Sequence, residues 1–306
     1  MKFQFVGFLL YPVLNRFCKK RLKIIISAII SLASVLCIAL ICIGTAYTTT
    51  FIMGLVLFLL LGLFGSAVFY VSMCMMKTDR YLARTVGISY ALGILLQFAN
   101  NNLVHSEMME AIVLVVFLLL LVCMLIKNDW SYCKKDEPSA TLPSNDETGK
   151  ADTPKTKKRV SVGILMVLLV VLMTFIFSTL DNAVTLAHAN GTIDIGQWPR
   201  ILLAFSGLAA GFVFDIKNRK YMGLIMYCIM ILSTISIVIL KLTGSFFVGL
   251  IVFYLSVGFF AVFFTSGFME LARNMKISVL WAGMGRAVNN ITAVVIAGLV
   301  LNLLSC

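Results

Sequence analysis

Charged side chains are scarce in this sequence, and their scarcity excludes a water-soluble protein. Asp, Glu, Lys and Arg make up 12% of the 306 residues, whereas soluble domains carry about 25%. Hydrophobic residues make up 61%, more than a soluble chain of this length can bury. Because an apolar run of about 20 residues crosses a bilayer as a helix, the composition predicts an all-α integral membrane protein whose first partner is the lipid bilayer.

The signatures of enzyme chemistry are also missing. The sequence has no glycine-rich phosphate loop, no metal-ligand spacing and no nucleophile constellation. Its eight cysteines include no CxxC pair, and its two histidines, His105 and His188, fall in loops between apolar segments. We therefore expect no enzyme activity, no metal ion and no cofactor.

Ten apolar segments divide the chain. They cover residues 1–14, 22–46, 51–76, 85–98, 108–126, 160–180, 201–214, 222–240, 245–268 and 277–304. Lipid offers backbone groups no hydrogen-bond partner, so runs of this length are predicted to be helices, giving about ten transmembrane helices. The fourth and seventh segments are short, and we expect them to extend to Tyr81 and Trp198 as interfacial residues.

The net charge of +12 is unevenly distributed along the chain. Every second loop is basic, and these loops hold most of the 25 Lys and Arg residues. The positive-inside rule places the basic loops in the cytoplasm and both ends of the chain outside. The excess of basic residues is therefore interpreted as a topology signal that also attracts anionic lipid, not as a sign of nucleic-acid binding. We expect a multi-pass protein of the plasma membrane.

A polar stretch separates the apolar segments into two sets of five. Residues 128–159 are rich in Lys, Asp, Pro, Ser and Thr, a composition typical of a disordered linker. The predicted organisation is an N-terminal helical half at 1–127, a disordered cytoplasmic linker at 128–159 and a C-terminal helical half at 160–306.

The two halves share a basic loop motif at an offset of 200 residues. Its members are Asn15, Arg16, Lys19 and Lys20 in the first copy and Gly211, Asp215, Arg219 and Lys220 in the second. The order of helices and loops after each copy is the same. This is a parallel repeat, and carriers built of two like-oriented halves bind substrate between them.

In these features the chain resembles the major facilitator superfamily (MFS), whose loop signature is G-x-L-a-D-R-x-G-R-K. The second copy retains the Gly and Asp of the signature, whereas the first has Tyr11 for Gly and Asn15 for Asp. The resemblance covers helices two to eleven of a twelve-helix plan. It implies two parallel helical bundles and secondary transport of a small solute, driven by a coupling ion or by the solute's own gradient.

Polar side chains inside apolar segments are the candidates for a substrate path, because such groups are costly in lipid and often functional. One helical face carries Thr174, Ser178, Asp181 and Asn182, and another carries Arg286, Asn289 and Asn290. Tyr70, Tyr90 and Gln97 are further candidates. The alternative for each is a hydrogen bond within or between helices, and for Arg286 a structural tie is favoured over an anion contact.

Two other functions stay open. A ten-helix carrier of the drug/metabolite type has this length, but its halves are inverted and both of its ends are cytoplasmic. A non-transporting membrane module, either a degenerate carrier or a sensory piece, is favoured by the weak first motif copy. The absence of counterparts to the first and last MFS helices favours it too.

Overall fold

The computed structural model describes residues 2–17, 22–42, 47–76, 79–104, 106–127, 153–189, 198–216, 220–243 and 246–304. Within these ranges the backbone forms ten α-helices and one 3₁₀ helix, and no strand. Each predicted apolar segment corresponds to one α-helix. The all-α fold predicted from the composition is therefore confirmed.

The helices follow one another in the order of the apolar segments. They are α1 (Lys2–Phe17), α2 (Leu22–Cys42), α3 (Tyr47–Met75), α4 (Leu82–Leu103), α5 (Glu107–Lys127), α6 (Thr153–Ala189), α7 (Trp198–Phe214), α8 (Met222–Thr243), α9 (Phe246–Arg273) and α10 (Ser278–Leu304). The 3₁₀ helix Asp79–Tyr81 leads directly into α4. The starts of α4 and α7, next to Tyr81 and at Trp198, agree with the extensions predicted for the two short segments.

The start of α6 differs from the sequence prediction. This helix begins at Thr153, whereas residues up to 159 were expected to belong to the disordered linker. Pro154 follows Thr153, and proline is favoured in the first turn of a helix because its missing N–H has no partner to lose there. The Lys and Arg residues that follow are good helix formers. The rest of the predicted linker, 128–152, lies outside the described residues.

Among the residues that the structure describes, five helices are long and apolar enough to cross a bilayer, as judged by length and composition. The spans are Thr48–Met75, Leu82–Leu103, Val160–Ser178, Val248–Arg273 and Ser278–Leu299. Four more helices contain shorter apolar stretches of 10–17 residues: Ile24–Leu36, Met108–Met124, Trp198–Phe214 and Met222–Ile235. The five spans indicate a membrane-embedded protein.

The helices divide into two compact units. The first unit consists of Met1–Lys77, Val115–Leu172 and Phe268–Asn290. Within it α1 packs closely along α3. The two backbones are so close that a Cβ atom added to Gly7 would lie 2.9 Å from the Cα atom of Gly62. Small residues allow helix backbones to approach one another in this way in a bilayer.

The second unit consists of Thr78–Leu114, Met173–Gly267 and Ile291–Cys306. Here α4 packs along α7, and a Cβ atom on Gly87 would lie 2.8 Å from the Cα atom of Gly211. Gly258 of α9 is also close to the backbone of Gly207. A Cβ atom added to Gly258 would lie 3.0 Å from the backbone nitrogen of Gly207. Each unit takes residues from before and after the linker range, so the halves 1–127 and 160–306 stay a prediction.

Candidate functional site

The second copy of the loop motif lies at the beginning of α4. The backbone N–H of Ala83 donates to Oδ1 of Asp215 at 3.2 Å, and the N–H of Arg84 donates to Oδ2 at 2.9 Å. The N-cap residue of α4, Tyr81, makes no side-chain cap hydrogen bond. The first N–H groups of a helix lack partners in the helix and favour negative charge, so Asp215 acts as the cap from a distant part of the chain.

Gly211 of the motif meets the same turn of α4. A Cβ atom on Gly211 would lie 2.8 Å from the carbonyl oxygen of Ala83 and 3.1 Å from the Cα atom of Arg84. The absence of a side chain at Gly211 therefore allows the approach that brings Asp215, four residues later, to the helix end. The guanidinium of Arg84 completes the contact by lying 4.7 Å from the centre of the Phe212 ring, a cation–π arrangement.

Of the remaining residues of the second copy, the structure describes only Lys220. Lys220 is exposed, and its ammonium lies 6.0 Å from the ring centre of Tyr221. Arg219 lies outside the described residues. The capping function of the motif is thus carried by Gly211 and Asp215.

The first copy of the motif has a different structure around Tyr11. This side chain is fully buried, and its ring centre lies 6.4 Å from that of Tyr70, another predicted site residue. Asn15 is buried and Arg16 is exposed. Lys19 and Lys20 lie outside the described residues. Where the MFS signature has a glycine, the first copy therefore has a packed aromatic ring.

A charged side chain also caps the end of α3, in the first unit. The Nη2 atom of Arg273 donates to the carbonyl oxygen of Met73 at 3.3 Å and to that of Met76. The last carbonyl groups of a helix lack partners and favour positive charge. The sequence does not predict this contact, because a lysine or arginine in a basic loop gives no sign of whether it faces water or a helix end.

The predicted polar face of α6 extends from a buried to an exposed environment. Thr174 is 3% exposed, Ser178 is half-buried and Asp181 is exposed. Although Asp181 keeps contact with solvent, the apolar atoms around its carboxyl group desolvate it and raise its pKa above the ordinary value. The Nδ2 atom of Asn182 is buried, with no hydrogen-bond partner in the part of the chain that the structure describes.

An aromatic cluster of Phe177, Trp198, Phe253, Tyr254 and Phe260 lies beside this face. Phe177 stacks on Phe260 with ring centres 5.1 Å apart, and Tyr254 meets Trp198 edge-on at 6.2 Å. The carboxylate of Asp181 acts electrostatically on the hydroxyl of Tyr254. This cluster was not among the predicted site residues, although the seven-residue spacing of Phe253 and Phe260 predicts one common helical face.

One predicted site residue of α10, Asn290, joins two helices. The amide Nδ2 of Asn290 donates to Oε1 of Gln4 at 3.3 Å, which links α10 to α1 within the first unit. Arg286 and Asn289 are half-buried, and each has an interaction partner. The Asn290 contact is of the structural kind that was the alternative for this face.

The two candidates on α4 differ in their surroundings. The ring of Tyr90 lies against the backbone of Gly207. A Cβ atom added to Gly207 would lie 3.0 Å from Cε1 of Tyr90. Gln97 is exposed, and nothing lies within 4 Å of the Cβ position of Gly93 between them. Tyr90 therefore serves the packing of α4 on α7, whereas Gln97 faces away from that contact.

Polar residues at the far end of α4 also make contacts that sequence analysis missed. The amide of Asn100 donates to Oε1 of Glu110 at 3.1 Å. When the side-chain amide of Asn101 is oriented with its oxygen toward Arg200, that oxygen accepts a hydrogen bond from Nη2 of Arg200 at 3.0 Å. These contacts join the ends of α4, α5 and α7 in the second unit.

The site residues offer charge and aromatic surface, and no metal-ligand set. In the described ranges no three His, Cys, Asp or Glu side chains come together in a way that could hold a metal ion. The chain matches no protein-family model, no curated protein and no solved structure. The resemblance to the MFS therefore depends on the motif copies and the order of helices and basic loops.

Proposed function

We propose that this protein is a secondary carrier of a small solute, of MFS type, that works by alternating access. About ten spans form two like-oriented halves, and the basic loops face the cytoplasm at the plasma membrane. The ten helices in the order of the repeat and the five candidate spans support this architecture. In such carriers the two halves rock about a substrate site near the middle of the membrane.

The hydrogen bonds of Asp215 to the start of α4 are the observation that carries the proposal. They join the motif of the second sequence half to a helix of the first half. A carrier that alternates between two states needs contacts between its halves that hold in one state and release in the other. Hydrogen bonds to a charged group contribute about 1.5–3 kcal/mol, enough to shift a two-state population at least tenfold and still be broken.

The polar face of α6 is the proposed part of the solute path. Thr174, Ser178 and Asp181 change from buried to exposed along the helix, and Asn182 beside them is half-buried, as expected of residues that lead from an opening toward the interior. Polar groups at such positions can take over hydrogen bonds that a solute loses when it leaves water. Arg286, Asn289 and Asn290 are assigned mainly to structure.

One observation favours a second candidate, a non-transporting membrane module derived from a carrier. The first motif copy replaces the signature glycine by Tyr11, which is fully buried near Tyr70. A packed ring of this size cannot slide past a neighbouring helix as a glycine can. A module of this kind would bind a solute without moving it across the membrane.

Flux through reconstituted protein tests the proposal. The purified full chain in liposomes is assayed for uptake of labelled cationic, anionic and neutral solutes, with empty liposomes as the blank. We expect uptake of at least one class, and a changed rate in Asp215→Asn. The matched control is Glu110→Gln, which alters an exposed carboxylate that bonds a side-chain amide and caps no helix in this structure.

Absence of flux for every class, together with solute-induced thermal stabilisation, would contradict the carrier and support the non-transporting module. Flux that is equal in the wild type and in Asp215→Asn would contradict the role of the Asp215 contact in switching between states while leaving transport intact. The two parts of the proposal can therefore fail separately.

A further inference from the structure

The end of α6 in the second unit brings a single carboxylate next to aromatic rings. Asp181 lies four residues after Phe177, so the two side chains share one face of the helix. Phe177 in turn packs on Phe253 and Phe260 of α9, at 6.2 and 5.1 Å between ring centres. The same face of α6 thus carries a negative charge at Asp181 and, one turn earlier, an aromatic surface at Phe177.

Tyr254 connects these two levels. Its hydroxyl interacts electrostatically with Asp181, and its ring meets both Phe253, at 5.3 Å, and the edge of Trp198, at 6.2 Å. Tyr254 and Trp198 are half-buried, whereas Asp181 is exposed. The carboxylate and two of the rings are therefore open enough to contact a small molecule.

The described surroundings of Asp181 leave its negative charge poorly compensated. Desolvation raises the pKa of this carboxyl group, and no cation among the described residues offsets that effect. A charge that loses hydration without gaining a protein partner is costly. A ligand that brings a positive charge removes this cost when it binds.

We propose that Asp181, Tyr254 and Trp198 form a binding site for an organic cation, such as an amine or a quaternary ammonium group. The carboxylate supplies the opposite charge, and the ring faces attract the diffuse positive charge of an alkylammonium group. A simple metal ion is excluded because it needs several oxygen ligands, and an anion is repelled. The assignment of this cation as the transported solute rests on the carrier function proposed above.

The charge of the ligand can be tested on the wild-type protein. Choline and its neutral carbon isostere 3,3-dimethyl-1-butanol have nearly the same shape, and calorimetry on the full chain in lipid nanodiscs measures both affinities. We expect choline to bind at least tenfold more tightly. Equal affinity, or no binding of choline at millimolar concentration, would overturn the proposal.

Variants then locate the site. We expect Asp181→Asn to weaken choline binding at least tenfold and Trp198→Leu to weaken it about fivefold, consistent with loss of a cation–π contact. Glu110→Gln, a carboxylate of the same unit outside the cluster, should leave the affinity within twofold. An unchanged affinity in Asp181→Asn would place the cation elsewhere and overturn the assignment.

A second variant covers the case in which Asp181→Asn does not fold, as judged by gel filtration. Asp181→Glu keeps the charge and should retain choline binding within about fivefold, whereas a loss of tenfold or more would contradict the role of the charge. Choline binding without choline flux in liposomes would contradict transport and leave the site in place. Flux of another solute without choline binding would contradict the cation site and leave transport in place.

Discussion

The carboxylate of Asp215 accepts a hydrogen bond from the backbone N–H of Arg84, at 2.9 Å, although 131 positions separate the two residues. This contact gives the Asp of the motif a specific role, because it caps a helix that has no side-chain cap of its own. Gly211 supports the same contact by allowing α7 to lie close to the first turn of α4.

Removing the charge of Asp215 should destabilise the protein. Asp215→Asn keeps one acceptor oxygen but loses the favourable interaction of a carboxylate with a helix N-terminus, which contributes about 0.3–1 kcal/mol at partly exposed positions. Asp215→Ala also loses both hydrogen bonds and should cost about 1–3 kcal/mol. Unfolding in detergent measures both changes. Equal stability of Asp215→Ala and the wild type would show that another group caps α4.

Two glycines of α4 provide a matched pair of substitutions. Gly87→Ala places a methyl group 2.8 Å from the Cα atom of Gly211, against backbone that cannot move aside, and overpacking of this kind costs about 1–3 kcal/mol. Gly93→Ala meets nothing within 4 Å and should be neutral or gain up to about 1 kcal/mol from helix propensity. Gly87→Ala should therefore lower the melting temperature, whereas Gly93→Ala should leave it unchanged or raise it. Equal shifts would contradict the close packing of α4 on α7.

The sidedness of the loops distinguishes the proposed topology, with both chain ends outside, from that of a drug/metabolite-type carrier, whose ends are both cytoplasmic. In a cysteine-free background, a single cysteine at Ser106, by Ser106→Cys, should react with a membrane-impermeant maleimide from outside the cell. The native Cys133, restored alone, should react only after the membrane is permeabilised, because its loop is basic. The opposite pattern is expected for a ten-helix carrier of the drug/metabolite type and would rule out the proposed topology.

Cation binding at Asp181 should depend on pH. Desolvation raises the pKa of its carboxyl group, so it gains a proton at a higher pH than an ordinary aspartate, whose pKa is about 3.9. The neutral form does not attract a cation, and choline affinity should fall as the pH is lowered toward this pKa and recover on return. Tyr254, the titratable group that interacts with it, stays protonated throughout. Asp181→Asn should abolish this pH dependence, and its persistence would assign it to another group.

The ten helices could be predicted from the sequence because their signal is local. Each apolar run must satisfy its own backbone groups, so its length and composition are enough to predict a helix. The ends of helices were less predictable, as α6 shows by beginning at Thr153. There a Thr-Pro start and several helix-forming basic residues outweighed the overall polar composition of the segment.

The contacts of the candidate site could be predicted only in part. The motif singled out Asp215 from the sequence, and the structure identifies the beginning of α4 as its partner. The polar face of α6 was expected from its spacing, but the neighbouring rings of α9 were not. Helical spacing predicts which residues of one helix share a face, and it does not predict which other helix that face meets.

The sequence by itself determined that this protein is helical, apolar and suited to a membrane, because these properties follow from the chain's composition and from the period of its helices. Only the tertiary structure decided that Asp215 caps α4, that Arg273 caps α3 and that Phe177 of α6 packs on Phe260 of α9. Each of these contacts joins residues far apart in the chain, and the close approach of helix backbones at residues such as Gly87 and Gly211 selects among many possible partners.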